Sequence, residues 1–330
     1  MRLKQALAIL FMIGLLACKK DDDLQIRKDL PQLHIEEIIN IAKREAVYRH
    51  QIDWEDLEKK VKAKAANAKT IEETYPAIEL ALTLLQEFHS MYVSPIGETV
   101  HNPDRGCNEA FPNPVPRDEA IGYIKINSMA GTDPRALNAY VKAMHDSIQI
   151  ADEREVKGWI VDLRGNRGGN MAPMLLGVGP ILGNGIAGYF VDTDDVWKCW
   201  QYDDIGRLSV CSTSKENGGR MVQKEAYRLI RTNLNPYPKV ALLVDGEVAS
   251  SGEIVFISFI GRPNARSFGS PSCGASTELR SYRLNNGARL NLARALFADR
   301  NLKTYGKEVL PDEILPDKEA VARAIEWIKE

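Results

Sequence analysis

The chain has 330 residues, of which 44% are hydrophobic and 27% are charged, and its formal net charge is −2. These values are typical of a soluble globular protein and argue against disordered, fibrous and multi-pass membrane classes. The balanced charge, without a basic cluster, predicts no nucleic-acid partner. The length predicts two domains, or one large domain with an appendage.

The first 17 residues have the pattern of an export signal. Arg2 and Lys4 precede the apolar run Ala6–Ala17, which is too short to span a bilayer core of about 30 Å. The junction Leu15–Cys18 resembles a bacterial lipobox, and this resemblance implies cleavage before Cys18 and attachment of lipid to that cysteine. Ordinary secretion with a free Cys18 is the alternative.

Residues 18–33 are polar and are expected to form a tether. Within them, Lys20-Asp21-Asp22 resembles the surface-export tag of some Gram-negative lipoproteins. We therefore expect the protein in the cell envelope of a Gram-negative bacterium, at the outer membrane and either periplasmic or surface-exposed. The N-terminal lipid would be its only contact with the membrane.

Residues 34–92 are predicted to form a helical subdomain. Apolar residues recur at helical spacing from His34 to about His50, a second helix begins at Asp53, and Thr70–Glu73 has the pattern of a capping box that opens a third. The following segment, 93–118, contains five prolines and is predicted to be an irregular connection.

Residues 119–330 alternate between strand and helix patterns. Apolar strand patterns lie at Ala120–Asn127, Gly158–Leu163 and Lys239–Val244, and helix patterns lie at Arg135–Ile150 and from about Ser250. This alternation predicts an α/β core.

A hairpin is predicted at Trp197–Tyr202 and Arg207–Cys211, around a turn that contains Gly206. Cys199 and Cys211 lie at equal distances from the centre of this turn, which predicts that they face one another across the hairpin. They would form a disulfide, which an exported chain can keep, or remain two reduced thiols.

Two further segments follow predicted buried strands. Glycines in Asp162–Asn170 can turn the backbone tightly and present bare N–H groups, which suit an anion or a developing oxyanion. Phosphate binding is disfavoured, because the glycines are not followed by the Lys-Ser/Thr of a P-loop and do not have GxGxxG spacing. A turn that serves only packing is the structural alternative. The second segment, Val248–Glu253, places Ser250 at a strand-to-helix junction, where a serine can be an exposed nucleophile or only a helix cap.

Three motifs, VDLRGNRGGN at 161–170, VDGEVASSGE at 244–253 and VLPDEI at 309–314, resemble the tail-specific, or C-terminal processing, serine peptidases and their tricorn-like relatives. The helical region that ends in LLQEFHSMYVSP at 84–95 also fits. The resemblance spans nearly all of the chain after Cys18. It implies a fold related to the ClpP/crotonase superfamily, with a core of ββα turns beside the N-terminal helical subdomain.

The same resemblance implies roles for individual residues. Ser250 falls on the nucleophile, the Ser251 amide would donate to the oxyanion, and the amide of Gly168 or Gly169 would donate the second hydrogen bond. Glu253 is expected to stabilise the start of the helix rather than to take part in the chemistry.

The base that activates Ser250 is expected upstream in the chain. One branch of the family uses a lysine some two dozen residues after the serine, but no lysine lies between Ser251 and Leu302. In this chain, only Lys303 or a more remote lysine could then act as a lysine base. The tricorn-like branch uses a histidine, and His89 occupies the matching place. A buried structural histidine at a helix end is the alternative.

Glu308 is the candidate acid that would orient His89, because it lies near the terminal Pro-Asp motif. A PDZ domain, which many relatives insert, needs roughly 80–100 residues, whereas 31 positions separate His89 from Ala120. The chain is therefore expected to lack a PDZ domain. No metal or cofactor is expected.

The predicted function is that of a lipid-anchored serine endopeptidase that cleaves extended protein segments or peptides in the cell envelope. Ser250 and His89 would act through an acyl-enzyme. The alternative is a catalytically inactive protein that binds peptides or other ligands on the peptidase fold. Cys273, which lies near the site in this resemblance, is a further candidate nucleophile.

Overall fold

The computed structural model describes residues 30–104, 106–212 and 237–330. The expected signal peptide, Cys18 and most of the tether lie outside the described residues. The chain divides into two units: the first combines the described part of Met1–Arg105 with Leu279–Ala293, and the second combines the described parts of Gly106–Glu278 with Arg294–Glu330.

The first unit contains three helices, which confirms the predicted helical region. In chain order they are α1 over residues 30–45, α2 at Trp54–Ala65 and α3 at Tyr75–Leu84. Asp53 caps α2 as predicted, since its side chain accepts the Asp56 N–H at 3.1 Å. The capping pattern at Thr70–Glu73 leads first into a short 3-10 turn, Glu72–Thr74, and only then into α3.

Short antiparallel strands complete the first unit: β1 at Met91–Val93, β2 at Thr99–His101, and the first half of β11, which spans Arg289–Ala298. This division differs from the predicted one. Strand β2 lies inside the segment predicted as irregular, and residues 279–293, predicted as part of the catalytic core, belong with the helices. The reason is burial, because Leu284, Leu290 and Leu292 lie in the same apolar cluster as Ile39 and Ile78.

A parallel sheet of five strands organises the second unit. Its strands are β3 at Ile121–Lys125, β4 at Gly158–Asp162, β8 at Lys239–Val244, β9 at Ala265–Gly269 and β13 at Glu313–Ile314. Their spatial order is β13-β9-β8-β4-β3. Strand β4 and nearly all of β8 are buried, which explains their continuous apolar sequences.

Helices cover both faces of this sheet: α4 at Pro134–Asp152, α5 at Met171–Leu182, α6 at Ser251–Phe259 and α7 at Asp317–Lys329. Helices α4, α5 and α6 share one apolar cluster with strand residues such as Val161 and Leu242. Helix α7 packs on the opposite face, against Ile160 and Leu243. The predicted α/β fold class is confirmed.

The remaining strands of the second unit pair antiparallel. They are β5 at Gly185–Asp192, β6 at Trp197–Tyr202, β7 at Leu208–Ser212, β12 at Thr304–Tyr305 and the second half of β11. Strand β10, at Thr277–Arg283, also pairs with β11, and from Leu279 onward it belongs to the first unit. Strands β6 and β7 form the predicted hairpin, in which Cys199 lies opposite Cys211.

The parallel sheet brings the two predicted chemical segments together. Strands β4 and β8 are parallel neighbours, with Asp162 aligned to Leu243. Their carboxyl ends therefore meet at one edge of the sheet, where ligands of open α/β sheets bind. Residues 163–170 leave β4 at this edge, and residues 245–250 leave β8 beside them.

His34 in α1 predicts a pH dependence of stability. Its side chain is 3% exposed, its ring packs edge-on against Tyr92, and its Nε2 has no hydrogen-bond partner among the described residues. Its Nδ1 lies 4.0 Å from Glu37, but burial dominates and lowers the pKa of His34 to about 4. The unfolded chain binds this proton near pH ~6.5 and the folded chain does not. Stability should therefore fall by about 2 kcal/mol between pH ~7 and ~4.5.

Urea unfolding of the parent and of His34→Phe at both pH values measures this effect. Phenylalanine keeps an aromatic ring beside Tyr92 but cannot bind a proton. The variant should therefore lose less stability on acidification. Equal losses in both proteins would assign the pH dependence to other groups.

Candidate active site

Ser250 occupies a sharp turn between β8 and α6. Its backbone angles are φ 52° and ψ −119°, a positive-φ conformation that is costly for a residue with a Cβ atom. Strained strand-to-helix turns of this kind expose a nucleophilic serine above a sheet. The sequence predicts the junction, whereas the strain is visible only in the backbone angles.

Glu253 holds this turn from within α6. Its side chain is fully buried, and its Oε2 accepts the Ser250 N–H at 2.8 Å. Its Oε1 accepts the Ser272 hydroxyl at 2.6 Å and the Gly274 N–H at 2.9 Å. Burial raises the pKa of Glu253 to about 7, although these hydrogen bonds oppose the shift. Glu253 thus supports the start of the helix, as expected.

The glycine loop after β4 packs against the Ser250 turn. Gly168 and Gly169 have φ values of 90° and 122°, which glycine adopts without a steric cost. A Cβ at Gly168 would lie 2.7 Å from the Ala249 carbonyl oxygen and 2.9 Å from the Ser251 nitrogen. The Ser251 hydroxyl donates to the Gly169 carbonyl at 2.7 Å. The structure therefore brings together Ser250, Ser251 and both predicted glycines.

Asn166, which no sequence pattern singles out, ties the glycine loop to this turn. Its side chain is fully buried, with Nδ2 donating to the Ile126 carbonyl at 2.9 Å and Oδ1 accepting the Gly168 N–H at 2.9 Å. Its own carbonyl accepts the Ala249 N–H at 3.0 Å. The Gly168 N–H is therefore engaged within the loop, and the assignment of either glycine as an oxyanion donor stays a prediction.

A buried ion-pair network fixes the exit from β4. Arg164 is 3% exposed and donates to both carboxylate oxygens of Asp162, from Nε at 2.9 Å and from Nη2 at 2.7 Å. Its Nη1 donates to Asp317 at 2.6 Å. A bidentate pair of this kind constrains orientation as well as distance. Because Asp317 opens α7, the network couples that helix to the path of the glycine loop.

His89 lies in the first unit, in the bend between α3 and β1. It is 6% exposed, and the backbone N–H groups of His89 and Ser90 both donate to Glu87 Oε2, at 2.6 and 3.0 Å. The Ser90 hydroxyl accepts the Ala293 N–H at 2.9 Å. These bonds fix the backbone of the bend, and the assignment of His89 as the base stays a prediction.

The other candidate acid and lysine residues lie in the second unit. Glu308 is exposed, and its role as the orienting acid stays a prediction. The Lys303 ammonium lies 5.2 Å from the centre of the Tyr305 ring. Among more remote lysines, Lys125 pairs with Asp162 at 3.2 Å.

Two disulfides lie among the described residues. One joins Cys199 to Cys211 across the β6–β7 hairpin, with Cα atoms 5.0 Å apart. The other joins Cys107 to Cys273, with Cα atoms 4.8 Å apart. Because Cys273 is in a disulfide, it cannot act as the nucleophile in this state, so that alternative is wrong for the oxidised protein.

Sequence comparisons support the peptidase motifs. The model of peptidase family S41 matches residues 120–315, which include the glycine loop and the Ser250 turn. The nisin-resistance protein of Lactococcus lactis subsp. lactis is 27% identical over 302 residues, covering 91% of this chain and 87% of that protein.

Two solved structures share the fold. A lipoprotein from Streptococcus agalactiae has a TM-score of 0.68 and 24% identity, covering 91% of this chain and 96% of its own. The photosystem II D1 C-terminal processing protease has a TM-score of 0.54 and 13% identity, covering 89% of this chain and 96% of its own. With the family match over more than half of the sequence, the chain belongs to peptidase family S41.

Proposed function

We propose that this protein is a serine endopeptidase of the cell envelope, anchored by lipid at Cys18, that cleaves extended protein segments or peptides. The observation that carries the proposal is the strained Ser250 turn, against which the glycine loop is packed. Preorganised amides beside a strained serine are suited to acyl transfer.

The helix-cap alternative for Ser250 does not account for this conformation. Asp53, Asp133 and Asn170 cap α2, α4 and α5, and all three have ordinary extended backbone angles. Ser250 alone among these four residues has a positive φ. Because capping does not need that strain, the strain supports a role in chemistry.

The proposed reaction follows from these groups. Ser250 Oγ attacks the carbonyl carbon of the scissile peptide, and His89 takes the hydroxyl proton. The Ser251 amide and the amide of Gly168 or Gly169 donate to the oxyanion that forms. His89 then returns the proton to the leaving amine, and an acyl-enzyme remains on Ser250. A water molecule deprotonated by His89 releases the acyl group.

The proposed location rests on the N-terminal pattern, and two relatives support it. One is described as a lipoprotein and the other as a nisin-resistance protein. Placement at a Gram-negative outer membrane rests on the tether at Lys20-Asp21-Asp22. Across the described ranges, we find no helix with the length and apolar character needed to cross a membrane.

A fluorophosphonate probe tests the proposed chemistry. We expect one labelled peptide in a tryptic digest, with the label on Ser250. His89→Ala should slow peptide turnover by about 10²- to 10⁴-fold, the usual contribution of a general base. Added imidazole should restore part of that rate, because it can accept the proton that the missing side chain no longer takes.

His50→Ala is the matched control, since His50 is an exposed histidine of the same unit. Its turnover should equal that of the parent. A label on a residue other than Ser250 would show that the nucleophile assignment is wrong. A protein that binds peptides but neither labels nor cleaves them would favour the non-catalytic binding function.

A further inference from the structure

The Cys107–Cys273 disulfide is joined to the nucleophile by a short series of contacts. The Cys273 N–H donates to the Val248 carbonyl at 2.8 Å. The residues on either side, Ser272 and Gly274, donate to Glu253 at 2.6 and 2.9 Å. Glu253 in turn accepts the Ser250 N–H. The loop that carries Cys273 therefore supports the strained turn from two sides.

Cys107 begins a segment that we call the strap, residues 107–113, which has neither helix nor strand structure. Its first residues lie against the chain that leads to Ser250, since a Cβ at Gly246 would lie 2.8 Å from the Asn108 Cβ. At its other end, Asn113 donates to Asp317 from the backbone N at 2.7 Å and from Nδ2 at 2.8 Å. The disulfide is the covalent anchor of the strap.

Resting on the proposed function, we propose that the Cys107–Cys273 disulfide is a positioning element of the active site, and that its oxidation converts the peptidase to its fully active form. A strained conformation persists only where its surroundings enforce it. Reduction frees Cys273 from the strap, and the loop that holds Glu253 then loses its covalent support. Ser250 is displaced from its attacking position more often, so kcat falls.

The oxidation is a thiol–disulfide exchange with a disulfide of another molecule. One cysteine thiolate attacks that disulfide, forms a mixed disulfide and releases one thiol. The second cysteine thiolate attacks the mixed disulfide, closes the Cys107–Cys273 bond and releases the second thiol. The protein pair is oxidised by two electrons, and the oxidant is reduced. Cytosolic thiols are kept reduced, so an exported chain gains full activity only after it leaves the cytoplasm.

Reversible reduction tests this inference. The parent is assayed oxidised, after dithiothreitol, and after re-oxidation with oxidised glutathione, at a temperature where circular dichroism shows every form folded. Reduction should lower kcat by about 10- to 100-fold, the cost expected for a small displacement of a reacting group. KM should change by less than about threefold, and re-oxidation should restore kcat.

The hairpin disulfide supplies a matched control. Cys199→Ser/Cys211→Ser should keep the parental kcat and the full response to reductant. Cys107→Ser/Cys273→Ser should have the lowered kcat with or without reductant. If the latter does not fold, reduction of the Cys199→Ser/Cys211→Ser variant still measures the effect of the Cys107–Cys273 pair alone.

The outcomes separate this inference from the proposed function. If the oxidised parent neither labels at Ser250 nor cleaves peptides, the proposed function fails. If it does both, and the reduced, folded protein has the same kcat, the positioning role is overturned. A reductant response that disappears in Cys199→Ser/Cys211→Ser would also overturn it, because the effect would then belong to the hairpin.

Discussion

Ser250→Ala will lower kcat by at least about 10⁴-fold and abolish labelling by a fluorophosphonate, because alanine has no oxygen to form the acyl-enzyme. The fold should be retained, since the hydrogen bond from residue 250 to Glu253 uses the backbone N–H. Single-turnover and steady-state assays on a peptide substrate measure the loss. Peptide binding should survive in this variant.

Ser251→Ala is the comparison that makes this result specific. Ser251 is proposed to act through its backbone amide, and its hydroxyl donates to the Gly169 carbonyl. Losing one hydrogen bond of this kind costs about 1 kcal/mol, so kcat should remain within about tenfold of the parent. A larger loss in Ser251→Ala than in Ser250→Ala would move the nucleophile to Ser251.

Gly168→Ala is expected to lower both peptide turnover and stability strongly. The added methyl group would lie 2.7 Å from the Ala249 carbonyl oxygen and 2.9 Å from the Ser250 Cβ, so the glycine loop and the nucleophile turn must separate. We expect a loss of about 10²- to 10³-fold in kcat, comparable to the loss of an oxyanion donor. Stability should fall by about 1–3 kcal/mol, from the clash and the positive φ.

Gly97→Ala measures the stability cost of placing a Cβ at a positive φ without the steric clash. Gly97 has nearly the same φ, 91°, but a Cβ there would meet nothing within 4 Å. It should cost about 1 kcal/mol of stability and leave kcat unchanged. Thermal unfolding and peptide turnover of both variants give the comparison. A Gly168→Ala enzyme with parental kcat would show that the contact between loop and turn is not needed.

Several elements of the fold could be predicted because local chemistry determines them. Strands β4 and β8 are continuous apolar runs, which a parallel sheet buries on both faces. The hairpin follows from its turn, and with it the pairing of Cys199 and Cys211. The glycine loop and the Ser250 segment stand out because each follows a predicted buried strand, whereas the roles expected for their residues come from the resemblance to the processing peptidases.

The remaining features depend on contacts between distant parts of the chain. Cys107 and Cys273 are separated by 166 residues, and no sequence spacing relates them. Asn166 gains its importance from the carbonyl of Ile126 and the amide of Ala249. The Glu253 carboxylate likewise accepts hydrogen bonds from two different loops. The Ser250 N–H comes from the loop after β8, and the Ser272 hydroxyl and the Gly274 N–H come from the loop after β9.

Strand β11 has a consequence for how the chain is made. Its first half completes the first unit, pairing Asn291 with Met91, and it lies about 200 residues later in the sequence. During synthesis, the N-terminal helices therefore emerge long before the strand that closes their sheet. The chain cannot finish its N-terminal unit until residues 279–293 have left the ribosome. The N-terminal unit therefore completes its fold only late in synthesis, which is compatible with the export that we propose for this chain.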